Sequence, residues 1–77
     1  MNELTEFLNR ISACDLIVLT LVSADRLYCR FFREGLYRDR MFVSDPVLLA
    51  ELMKLSGKGE EISTAGIAKL KQTFLAV

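Results

Sequence analysis

A chain of 77 residues with ten Lys and Arg against ten Asp and Glu has room for one domain, 1–77, and is no polycation that coats nucleic acid through bulk charge. It has no histidine, so the commonest general base and a major metal ligand are missing. Hydrophobic residues make up 52% of it. That is more than a domain with so much surface per volume needs, so another molecule is expected to cover part of its apolar surface.

Residues 3–13 read as a helix, with Leu4, Phe7, Leu8 and Ile11 at i, i+3, i+4, i+7 on one face. Glu3 and Glu6 lie off that face and suit the positive end of the helix dipole. Residues 15–23 read as a strand rich in β-branched side chains, Ile17, Val18, Thr20 and Val22. Apolar residues on both its faces predict a central strand covered on both sides. A short buried helix is the competing reading, because periodicity does not separate the two in so short a run.

Residues 26–33 and 36–43 read as a hairpin around Glu34-Gly35, where glycine supplies the positive φ that hairpin turns require. A two-residue loop pairs Arg30 with Asp39 and Phe32 with Tyr37. A three-residue loop changes those partners, so the register stays open. Ser44-Asp45-Pro46 is a helix start, with Asp45 as cap and Pro46 in the first turn. This helix runs to about Ser56, and Gly57 is its natural stop. Its interior carries only Glu51 and Lys54 as charges, which predicts burial on more than one side. Val47, Leu48, Leu52 and Met53 are therefore candidates for an interface between copies.

Residues 58–61 read as a loop. A last helix follows, with Ser63 as N-cap, Ile62 and Ile67 as a hydrophobic staple, and Ile67, Leu70 and Phe74 as the buried stripe. The fold class is α+β: a small single domain in the order α-β-β-β-α-α, a three-stranded antiparallel meander packed with helices.

Motifs carry little chemistry. The first residues, Met1-Asn2-Glu3-Leu4, lack the layout of a signal peptide, so Cys14 and Cys29 are expected to be buried, reduced thiols of a cytoplasmic protein. Two cysteines do not complete a zinc site. Alternation sends Tyr28 and Arg30 away from the face that Cys29 occupies, which makes Cys29 a core residue rather than an activated nucleophile. Gly57-Lys58-Gly59 lacks the spacing and the preceding strand of a phosphate loop. The two C-terminal helices are joined by about six residues, longer than the 3–4 usual in a DNA-reading helix-turn-helix. The longest apolar run, 16–22, is far short of the roughly 20 residues of a membrane-spanning helix. No catalytic residue, metal site or cofactor is assigned.

The most informative segment is 26–40, RLYCRFFREGLYRDR. It holds five of the six arginines and four of the seven aromatic residues, with local net charge +3. Such a mixture fits a protein interface, a sheet that stacks bases and binds phosphates, or simply a half-buried hairpin with solvated arginines. The candidate partner-binding residues are Arg26, Tyr28, Arg30, Phe32, Arg33, Tyr37, Arg38 and Arg40. The expectation is a non-enzymatic interaction module that docks a protein partner and self-associates. It would be an adaptor, inhibitor or regulatory accessory protein, of the kind phages also encode. A nucleic-acid-binding module using the same hairpin is the alternative. No membrane partner is expected.

Overall fold

The computed structural model describes residues 2–56 and 60–75. Three helices and four strands follow one another as α1 (Glu3–Ile11), β1 (Leu16–Ser23), β2 (Arg26–Arg33), β3 (Leu36–Val43), α2 (Pro46–Leu55), β4 (Glu61–Ile62) and α3 (Thr64–Leu75). The strands form one antiparallel sheet in the order β3-β2-β1-β4. The expected α+β meander is present. The addition is β4, which lies within the stretch read as a loop and staple: Ile62 and Glu61 pair with Ile17 and Val18. This short strand covers what would otherwise be the free edge of β1.

Alternation along the strands separates two faces. Ile17, Leu19, Leu27, Cys29, Phe31, Val43 and Ile62 point to one side and are buried. Phe7 and Ile11 from α1, Leu48 and Leu52 from α2, and Ile67 and Leu70 from α3 meet them in a single core. The Phe7 and Phe31 rings pack edge to face with centroids 5.7 Å apart. The helices thus form one layer on one face, a two-layer domain.

Local chemistry fixes the ends of the elements. Asn2 caps α1 by accepting from the Thr5 N–H at 2.8 Å, and Asp45 caps α2 by accepting from the N–H groups of Val47 and Leu48. Glu3 is more than a favourable dipole charge. Its Oε1 accepts from the backbone N–H of Ser44 at 2.8 Å and of Asp45 at 2.7 Å, so the first turn of α1 holds the residues that lead into α2. Gly57, read as the stop of α2, lies outside the described residues. The staple is formed, with both Ile62 and Ile67 buried. At Gly66 a Cβ would stand 2.6 Å from the Ile62 Cγ2, so the close approach of α3 to β4 depends on the bare α-carbon.

Two expectations are corrected. β1 is central in the sheet but is not covered on both sides: Val18 is half-buried, Thr20 is exposed, and Val22 is 52% exposed. Among the described residues no helix lies over the face it shares with β2 and β3. Nor is α2 buried on more than one side. Leu48 and Leu52 are core residues, Leu49 and Leu55 pack at its margin, and Val47 and Met53 are 65% and 48% exposed. Leu48 and Leu52 therefore present no surface to another copy. The reason is geometric: one helix layer on one small sheet leaves the far side of each helix facing outward.

Candidate functional site: the open face of the sheet

The hairpin turn sets the site. Glu34 and Gly35 have φ 52 and 79, the positive values that a two-residue primed turn requires at both central positions. Asp15 secures the turn from β1: its Oδ2 accepts from the Glu34 N–H at 3.0 Å, and its own N–H donates to the Phe32 carbonyl at 2.9 Å. The two-residue loop pairs Phe32 with Tyr37, as the shorter of the two possible loops predicts. A bulge then shifts the ladder. Phe31 faces Asp39, and Arg30 faces Arg40 rather than Asp39. The extra residue on β3 re-aims the side chains that follow it.

Alternation divides the candidate residues between the two faces, and the shift brings Arg40 onto the open one. Tyr28, Arg30, Phe32, Tyr37 and Arg40 share the open face, and Arg26 joins them by lying over the Phe42 ring, 4.1 Å from its centroid. Arg38 and Arg33 do not belong there. Arg38 lines a cleft on the covered side with Asn9, Arg10, Ala13 and Cys14. Arg33 is close enough to Cys14 for its charge to favour the thiolate. The eight residues singled out from composition are therefore six on one face and two off it.

Sequence reading missed residues that complete the face. Phe42 packs on Tyr28 with centroids 5.0 Å apart. Val22, Leu16, Val18 and Thr20 come from β1 and Glu61 from β4. Period-two alternation, counted from Tyr28 through the observed register, finds Phe42 and Val18. β4 left no comparable signal, since two residues are too few to show a period.

The aromatic rings are arranged against one another. Phe32 and Tyr37 meet edge to face at 5.8 Å. Phe42 has Tyr28 on one side and the Arg26 guanidinium over its ring. The Tyr28 hydroxyl beside Arg40, together with the nearby phenol of Tyr37, holds the guanidinium above its ordinary value. Partial desolvation and a hydrogen bond with Tyr28 push Tyr37 up as well. Arg30 is half-buried, and its Nε is shut off from solvent without an acceptor. Beside Arg40, the residues Val22, Tyr28, Met41 and Phe42 line an open depression.

The acid nearest in sequence is occupied elsewhere. Asp39 Oδ2 pairs with Arg10 Nε at 3.1 Å, and its Oδ1 accepts from the Arg40 backbone N–H at 2.7 Å. The second contact also takes a donor on the free β3 edge. With the bulge, it blunts that edge against pairing with another strand. The sheet therefore offers its face more readily than its edge.

Both thiols lie on the covered side and are free and buried. Burial pushes the Cys29 thiol up to about 12, with Glu3 adding to the rise. Burial also raises Cys14, against an opposing hydrogen bond from the Leu16 backbone. Neither is a ready nucleophile. Among the described residues no cluster of His, Cys, Asp and Glu is arranged to hold a metal ion, and no helix is long and apolar enough to cross a membrane. Comparison with protein-family models, with curated proteins and with solved structures finds no match.

Proposed function

We propose that this chain is a non-catalytic protein-docking module of the cytoplasm, an adaptor, inhibitor or regulatory accessory protein, and that the open sheet face is its docking surface. One observation carries the reading: a continuous face of four aromatic residues, three arginines and the aliphatic side chains of β1 has no helix over it. Aromatic residues and arginine are the types enriched where protein interfaces are strongest.

The ring arrangement favours a protein over a nucleic acid. Base stacking needs a free ring face. Here the Arg26 guanidinium covers one face of the Phe42 ring, and the edge-to-face contact of Phe32 and Tyr37 covers one face of that pair. A second copy is the rival occupant. Each copy would bring Arg26, Arg30 and Arg40 against the single acid Glu61, so two such faces repel. Only Val47 and Met53 of the expected self-association residues remain exposed to support an oligomer.

The test is co-purification from the cells that express the chain, comparing the wild type with a Tyr37→Ala/Phe42→Ala variant. A protein that stays bound after nuclease treatment and is lost on the variant is the expected result. Loss of the partner on nuclease treatment alone would transfer the face to nucleic acid.

A further inference from the structure

The arginines of the open face form a site more specific than a generally positive patch. Arg30 and Arg40 stand directly opposite on neighbouring strands, where β-carbons are about 5 Å apart and like charges destabilise each other. Among the described residues no carboxylate lies within ion-pair distance of either. Along the same row the partner of Arg30 on β1 is Val18, and beyond it stands Glu61. Two strand spacings, about 10 Å, separate Glu61 from Arg30. Asp39 is committed to Arg10 and to the β3 backbone.

Arg40 is exposed beside the Tyr28 hydroxyl, and Arg30 is packed into the face with its Nε out of contact with water. A buried donor without an acceptor is costly, and two facing cations add to that cost. An oxygen anion seated between the two guanidiniums relieves the repulsion of the facing cations. Guanidinium forks match a carboxylate in two-point hydrogen bonds. The apolar depression lined by Val22, Tyr28 and Phe42 adjoins Arg40, so a side chain next to that carboxylate has a place to go.

We infer that Arg30 and Arg40 form a carboxylate clamp, and that the partner is an acidic protein segment which seats an Asp or Glu between them and lays a neighbouring apolar side chain against Phe42. This inference rests on the docking-face reading and adds the chemistry of the partner. The apolar depression beside Arg40 favours a protein carboxylate over a polynucleotide backbone.

A random dodecapeptide display library, selected on the immobilised full chain, tests it. The enriched peptides should carry Asp or Glu beside an apolar residue. Affinity should fall at least about tenfold when that acid is changed to its amide, and as much on an Arg30→Gln/Arg40→Gln chain whose melting curve is unaltered. An Arg33→Gln/Arg38→Gln chain should bind as the wild type does. Enriched peptides without acids, indifferent to Arg30→Gln/Arg40→Gln but lost on Phe42→Ala, overturn the clamp and leave the docking face standing. Peptides indifferent to both changes, or no enrichment at all, overturn the two together. So does tight binding of oligo(dT) that weakens log-linearly with salt, or a dimer in sedimentation that Phe42→Ala dissolves.

Discussion

Neighbours on β2 live in different surroundings. Leu27, Cys29 and Phe31 are sealed under three helices, while Tyr28, Arg30 and Phe32, one residue away from each, stand on a face that no helix reaches. The interior of the covered face is apolar, with no buried polar or charged residue among the described residues. The open face mixes aromatic rings with arginines whose counter-charges lie elsewhere. A strand can hold both because its side chains alternate, so one eight-residue segment serves stability on one side and recognition on the other.

The largest expected contrast comes from the phenylalanines. Phe31→Ala removes a fully buried ring that packs on Phe7 and should cost about 3–5 kcal/mol, enough to unfold most of a domain this small. Phe42→Ala, on a ring 47% exposed, should cost about 1 kcal/mol, the scale of a cross-strand aromatic pair. Urea titration of both variants reads the difference directly. Equal losses would mean that the open face is part of the core.

A smaller effect follows from Cys29. Its thiol titrates near 12 in the folded chain against 9.0 when unfolded. Its contribution is fully present below pH 9. Between pH 9 and 12 the unfolded chain loses a proton that the native chain keeps, so stability should fall by about 1.4 kcal/mol per pH unit through this group. Other groups also titrate there, so the informative quantity is the difference in slope between the wild type and Cys29→Ala. Urea midpoints measured from pH 8 to 10.5 should decline less steeply for the variant. Parallel curves would show that the covered face admits water at Cys29.

The smallest expected effect lies across the strand pair. Arg30→Gln/Arg40→Gln removes two facing cations without touching the core, and should change stability by no more than about 0.5 kcal/mol, in the stabilising direction if in either. Thermal melting decides. A loss of several degrees would make the arginines structural and would remove the reason to assign them to a partner.

Much of the fold was legible in the chain itself. The stripes Leu4-Phe7-Leu8-Ile11 and Ile67-Leu70-Phe74, the cap at Asp45, the staple of Ile62 and Ile67, and the Glu34-Gly35 turn are all local patterns. Local patterns fix helices, caps and turns because the groups that satisfy them are close in sequence. The burial of Cys29 also followed, from alternation along a strand.

Only the tertiary structure decided which apolar surfaces were covered. β1 shows apolar residues on both sides, yet the three helices pack on one, since a chain this short supplies a single helix layer. α2 reads as apolar nearly all round, yet of its described side chains only Leu48 and Leu52 are fully buried. The bulge opposite Phe31 decided that Arg30 faces Arg40 and that Asp39 turns to the covered side. A one-residue change of register reverses the face of every side chain beyond it, and the composition of residues 26–40 is the same in either register. The sequence by itself determined the elements and the residue types of the site; the register and the one-sided packing of the helices determined which of those residues meet.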